Sequence, residues 1–194
     1  MRKIKKNRVK ILVIDNFDSF TYNLVHYIEH ITRVKPDVKR NNEIKAAEAG
    51  DYDKICISPG PGLPSEAGIT KEVIRLWAPQ KSVLGVCLGH QSLAEVFGGT
   101  LKNLDTVMHG VSRTVRVLKA DMLFANIPER FEAGRYHSWV IDNPGILEVI
   151  AEDDDKNIMA VKHPQFNVYG VQFHPESIMT PEGMNIMSNW ILKT

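Results

Sequence analysis

Cysteine is scarce in this chain: 194 residues contain only Cys56 and Cys87. Two thiols make no disulfide framework, so a reducing compartment, the cytoplasm, is the expected location. Neither thiol belongs to a Cys-x-x-Cys pair and no His-Glu-x-x-His occurs, so the chain is expected to carry no metal and no cofactor. Long apolar runs are also missing; none approaches the roughly 18 residues of a membrane span. Nor is there an excess of one charge. With 24 Lys and Arg against 23 Asp and Glu, the net charge is +1, which argues against nucleic acid or an anionic membrane as partner. Basic residues cluster only in Met1–Lys10. The apolar run behind them, Ile11–Ile14, is too short for the core of a targeting signal. Residues 1–8 therefore read as a solvated basic tail and residues 9–194 as a single domain, without linker, repeat or low-complexity stretch.

Hydrophobic residues make up 43% of the chain, enough for a substantial core. The first hundred residues alternate apolar runs with helical patterns. Val9–Ile14, Pro36–Arg40, Lys54–Ile57 and Ser82–Val86 read as strands. Helices are expected from Asp18 or Ser19, from about Ser65 to Trp77, and from Leu88 to Phe97. This order predicts an α/β fold: a doubly wound, mostly parallel open sheet with helices on both faces. In the second half, Val111–Leu118, Leu147–Ala151, Ile158–Lys162 and Val168–Phe173 read as strands of a partly antiparallel extension. A last helix is expected from about Pro181 to Leu192, with proline near its first position.

The stretch Gly85-Val86-Cys87-Leu88-Gly89 follows a strand and opens a helix. A small-x-nucleophile-x-small pentapeptide at such a turn holds its central side chain up, exposed and strained, with glycines letting helix and strand approach. The helix N-terminus favours thiolate over thiol. By itself the pentapeptide also fits a buried core cysteine, the reading given to Cys56 within Lys54–Ser58. Ligand sites of open parallel sheets lie beyond the carboxyl ends of strands. Three unusual segments fall there: Asp15–Asp18, Pro59–Gly62 and Cys87.

A cysteine nucleophile needs a base, and the base an orienter. His174-Pro175-Glu176 closes a strand, and strand residues two apart share a face, so Glu176 is placed to hold the His174 imidazole. His163-Pro164-Gln165 has the same form but a neutral amide in the third place, and His163 reads as structural. His90 is placed beside the elbow with at most a hydrogen-bonding role. Gln91, one turn from Cys87, faces a substrate or packs on the first strand. Pro59-Gly60-Pro61-Gly62 is either a tight turn or a rigid loop whose backbone N–H near Gly60, with that of Leu88, forms an oxyanion hole. Arg135–Trp139, polar and aromatic together, is a surface loop or a holder of a small polar substrate.

Taken together, Leu12–Asn23, Ser58–Gly62, Gly85–Gln91, Met108–Gly110, Arg135–Ser138 and Gly170–Ser177 resemble the motifs of the class I glutamine amidotransferases, in the family's order and over nearly the whole chain. The Asp15–Phe20 segment resembles the branch of small glutaminase subunits of anthranilate synthase and aminodeoxychorismate synthase. The resemblance implies Cys87 as nucleophile, His174 and Glu176 as base and orienter, and glutamine contacts from Gly60, Pro61, Gly62, Gln91, Ser138 and Trp139. It implies L-glutamine as substrate and, as partner in a heterodimer or heterotetramer, a large synthase subunit that adds ammonia to chorismate. The implied product is anthranilate, with aminodeoxychorismate or service to both as the alternative. A stand-alone cysteine γ-glutamyl hydrolase or peptidase, and a non-catalytic docking module, are the rival readings. One departure is Val111, where the family commonly has lysine.

Overall fold

Apolar alternation in the first run decides how the sheet is sandwiched. In the computed structural model, which describes residues 9–105 and 107–194, this run is β1 (Ile11–Asp15). Val13 points to one face with Leu24, Val25 and Ile28 of α1 (Thr21–Thr32), while Leu12 and Ile14 point to the other. β2 (Asp37–Arg40) and β3 (Lys54–Ile57) follow. α2 (Thr70–Trp77), β4 (Ser82–Val86) and α3 (Leu88–Val96) complete the first half. The second half supplies β5 (Thr100–Asn103), β6 (Val111–Val117), β7 (Arg130–Arg135), β8 (Trp139–Asn143), β9 (Glu148–Asp153), β10 (Ile158–Lys162), β11 (Val168–Val171) and α4 (Gly183–Lys193). Residues 1–8, read as a basic tail, lie outside the described residues.

Nine strands form one sheet in the order β2-β1-β3-β4-β11-β10-β9-β6-β7, and β5 pairs with β8 in a separate ribbon. The four ladders from β2 to β11 are parallel and the four from β11 to β7 antiparallel. The open, doubly wound α/β sheet with an antiparallel extension is thus present, with the two senses equal in number. α1 and α4 pack on one face through Leu24, Ile28, Ile186 and Trp190; α2 and α3 pack on the other through Val73, Ile74 and Leu93. Each of these fully buried aliphatic side chains contributes about 1.5–3 kcal/mol of transfer free energy. Cys56 lies in the α1–α4 face, fully buried, as its strand pattern implied. Lys54 crosses the bottom of the sheet and donates to the Trp190 and Thr194 carbonyls, pinning α4.

Boundaries differ from the sequence expectation where local chemistry intervenes. α1 begins at Thr21 with Phe20 at its cap; Asp18 instead accepts from the Phe20 N–H one step earlier, and Ser19 caps nothing. α2 starts at Thr70 rather than Ser65, because Pro64–Glu66 forms a single 3-10 turn and Gly68 follows with φ +52°. α4 opens at Gly183 with Glu182 at the cap, leaving Pro181 outside. Strands β5, β7 and β8 were not foreseen.

Candidate active site

Cys87 ends β4 and caps α3 at φ +51°, ψ −100°, a conformation that costs a non-glycine residue on the order of 1–3 kcal/mol. The surrounding packing enforces it. A Cβ on Gly85 would lie 2.5 Å from the Gly89 carbonyl, and one on Gly89 2.7 Å from the Ile57 oxygen, so only glycines let α3 sit on β3 and β4 this closely. The sequence placed the sulfur in an exposed position; the residue is instead 6% exposed. It reaches a pocket of about 150 Å³ lined by Gly60, Pro61, Gly62, Gln91, Trp139 and their neighbours. The chain covers Cys87 with loops, whereas the elbow alone would leave it open.

β11 adds to β4 in parallel register, Val171 beside Val86, and the Cys87 N–H donates to the Val171 carbonyl at 2.8 Å. That register carries His174 to Cys87. The strand stops at Val171, so the His174–Glu176 pairing does not arise from strand alternation. A turn closed by the Ser177 N–H on the His174 carbonyl folds the two side chains together, and Nδ1 of His174 lies 2.7 Å from the Glu176 carboxylate. The His174 N–H on the main chain donates to Gly134 of β7. Burial opposes charge on this imidazole, but Cys87 and then Glu176, each by hydrogen bonding and by charge, hold its pKa well above 6.5. Edges of the Tyr136 and Phe20 rings, at 4.9 and 5.8 Å between centroids, fix its plane.

The Pro59–Gly62 loop is anchored from below: Asn16 donates from its side chain to the Ser58 carbonyl, and its main-chain N–H donates to the Ser58 hydroxyl. A Cβ on Gly60 would meet the Asn16 oxygen at 2.5 Å and the Leu88 side chain at 2.9 Å, so Gly60 and Leu88 lie against each other. The first α3 ladder bond joins the Gln91 N–H to the Cys87 carbonyl at 3.0 Å. The Leu88 N–H lies ahead of it, at the positive end of the helix.

Across the pocket, the Met108 segment zips onto Arg135–Ser138: Leu104, Met108 and Gly110 donate to the carbonyls of Ser138, His137 and Arg135. Beneath, Arg135 and Asp153 form a buried ion pair, with Asp153 also accepting twice from Asn157. Among the described residues, no three His, Cys, Asp or Glu side chains group as metal ligands.

The model of the family Glutamine amidotransferase class-I matches residues 12–194. The chain is a class I glutamine amidotransferase. It is similar to the anthranilate synthase component 2 of Lactococcus lactis, 42% identical over 185 residues that cover 93% of each chain. It is also similar to the aminodeoxychorismate/anthranilate synthase component 2 of Bacillus subtilis, 41% identical and covering 93% of this chain and 95% of that one. A solved glutamine amidotransferase of Thermotoga maritima shares the fold, with a TM-score of 0.75 at 18% identity over 95% of this chain and 81% of its own.

Every residue expected to touch glutamine in this amidotransferase lines the pocket: Gly60, Pro61, Gly62, Gln91, Ser138 and Trp139. Gln91, given to a substrate contact or to packing on the first strand, lines the pocket, and its amide donates to the Trp139 carbonyl at 2.9 Å and to Gln172 at 3.2 Å. His90 lies elsewhere, fully buried against Gly170, and burial keeps it neutral with a pKa of about 3. His163 is structural: its Nδ1 accepts from the Gln165 and Phe166 N–H groups, and its ring stacks on Phe166. Val111 pairs with Arg135 at the start of β6, outside the pocket. Three site residues were missed. Tyr136, hydrogen-bonded to Ser177, covers His174; His137 lines the pocket; Gln172 touches the Cys87 sulfur at 3.6 Å. All three sit inside motifs already singled out, but nothing in a motif says which members turn inward.

Proposed function

We propose that Cys87, His174 and Glu176 carry out glutamine hydrolysis, and that the ammonia feeds a chorismate-using synthase subunit. The Cys87 sulfur attacks the side-chain amide carbon of glutamine, forming the C–S bond. Backbone N–H groups of Leu88 and Gly60 hold the resulting oxyanion. His174, charged beside Glu176, gives its proton to the departing nitrogen as the C–N bond breaks, and ammonia leaves a glutamyl thioester. Water then loses a proton to His174, attacks the thioester and releases glutamate, restoring the thiolate and imidazolium. The chain supplies every group these steps need, without a cofactor. What carries the reading is the buried His174–Glu176 pair, built onto a positive-φ cysteine that opens into a pocket sized for one side chain.

The partner reading is supported by the relatives, whose names describe components of anthranilate and aminodeoxychorismate synthases. Anthranilate is the product we favour, with service to both routes as the alternative. Ammonia set free in water would mostly become ammonium, so delivery to a docked subunit makes chemical sense. Phe17 and Ile178, 51% and 95% exposed, lie two residues beyond β1 and Glu176 and offer such a subunit apolar contact. Among the described residues no helix is long and apolar enough to cross a membrane, and a cytoplasmic location is proposed from the free thiols. In complex with a chorismate-using subunit, Cys87→Ser is expected to abolish glutamine-dependent synthesis and leave ammonia-dependent synthesis intact. Glutamine still supporting the variant complex would sink the assignment, as would full activity on γ-glutamyl peptides without any partner.

A further inference from the structure

Gln172 has no part in the triad, yet it is fully buried and its amide faces the reacting sulfur. The parallel register explains why. Val171 stands beside Val86, so the next residue of the neighbouring strand lies level with Cys87, and the Gln172 N–H is tied to the Met159 carbonyl at 2.9 Å. Which end of the carboxamide meets the sulfur follows from hydrogen-bond logic alone. The Trp139 carbonyl can only accept, so the group Gln91 turns toward it at 2.9 Å is nitrogen. The same nitrogen carries a second N–H, which meets the Gln172 side chain at 3.2 Å; that atom must therefore be oxygen. The remaining end of Gln172, its NH₂ group, points at the Cys87 Sγ at 3.6 Å. Two amides in series, started by one backbone carbonyl, thus aim a donor at the nucleophile.

We propose that Gln172 is a positioning residue of the glutaminase reaction, a buried N–H donor that holds the Cys87 sulfur and favours its anionic form. The inference rests on Cys87 being the nucleophile. A thiolate that is nearly sealed from water needs donors to replace hydration. The charged His174 ring and the positive end of α3 favour that charge from nearby; the Gln172 amide is an N–H donor to the sulfur that does not titrate. The far end of the relay is the carbonyl of Trp139 in the glutamine pocket, so that carbonyl and the sulfur are linked by three hydrogen bonds in series.

Alkylation of Cys87 by iodoacetamide, followed across pH by mass spectrometry of its peptide, tests the contact without requiring turnover. Gln172→Met keeps length and bulk but removes the donor; Gln172→Glu keeps the oxygen that accepts from Gln91 and replaces the N–H. His174, Glu176 behind it and His137 across the pocket are the same in every variant, so the difference between profiles belongs to residue 172. Cys56, wholly buried, stays unmodified while the chain is folded and reports on each variant's integrity; the Glu variant serves should methionine disturb the core. The midpoint of alkylation is expected to move up by about one pH unit in the Met variant, the scale of a hydrogen bond to a charged group. A further upward move is expected in the Glu variant. In turnover assays kcat falls while KM stays within about twofold. Profiles that superimpose on the unsubstituted protein with Cys56 protected would overturn the proposal, as would a rise in KM alone. Should Cys87→Ser retain glutaminase activity while the alkylation profile still shifts, it is the assignment of the nucleophile that fails and the Gln172 contact that stands.

Discussion

His163 and His174 each precede a proline, each lie on a segment leaving a strand and each are nearly buried, yet their nitrogens do opposite work. In His163, Nδ1 is occupied as an acceptor of two backbone N–H groups, and burial lowers its pKa. In His174, Nδ1 faces the Glu176 carboxylate and the ring holds charge. The third residue makes the difference: a glutamine cannot stabilise an imidazolium as a carboxylate does. His174→Ala is therefore expected to lower glutamine hydrolysis by roughly a thousandfold. His163→Ala should leave turnover within about twofold while destabilising the fold by about 1–3 kcal/mol, because two N–H groups lose their acceptor. Paired glutaminase assays and urea titrations check both, and the reverse ranking would exchange the two roles. At this scale the proposed triad could be picked out in the sequence, because Cys87, His174 and Glu176 are chemically distinctive types at distinctive spacings. Gln172 and Tyr136 were not, since a buried amide or ring in a motif looks the same as one that faces solvent.

At the scale of elements, the elbow works only while β4 and α3 stay close. Gly85→Ala would place a methyl group 2.5 Å from the Gly89 carbonyl, and backbone on both sides has no room to yield. A loss of about 1–3 kcal/mol is expected from this overpacking, with a fall in glutaminase activity as α3 lifts its N-terminus from the pocket. A denaturant midpoint and activity equal to those of the unsubstituted chain would show that the approach is looser than drawn. The strands that sequence reading recovered are those with dense β-branched runs, such as Ile11–Ile14 and Lys54–Ile57. β7 escaped notice because only Phe131 and Ala133 of its buried positions carry apolar side chains, the other two being Gly134 and the ion-paired Arg135. β5 and β8 escaped because they are short and pair only with each other. The helix expected from Ser65 starts late for a local reason, the left-handed Gly68.

The whole molecule buries several titratable groups, and they set its response to acid. His90 and His137 are held neutral with pKa values of about 3, chiefly by burial. The unfolded chain takes up those protons near pH 6.5, so between about 6.5 and 3 it binds more protons than the native state and stability falls with falling pH. Each histidine adds a slope of about 1.4 kcal/mol per pH unit in that window. Asp153 acts in the same direction: burial raises its pKa, but Asn157 and Arg135 outweigh this and lower it. The stability it contributes is present above about pH 4, the unfolded carboxyl value, and is lost as pH falls through its depressed native value. His174 acts in the opposite direction, contributing stability below 6.5 that is lost as pH rises through its raised pKa. Urea unfolding at pH 7, 5 and 4 should show a steep loss on acidification, shallower in His90→Leu if that variant folds. A flat profile would contradict the neutral burial of both imidazoles.

Residue order alone determined the chemistry available and the layered plan. A lone cysteine between glycines, a histidine with a carboxylate two places on, and alternating strands and helices are local facts that need no third dimension to read. Only the tertiary structure decided that residues 87 and 174 meet, because that depends on β11 pairing antiparallel with β10 on one side and docking in parallel register beside β4 on the other. Strand pairing is a long-range choice made by the whole core at once, and local spacing holds no record of it.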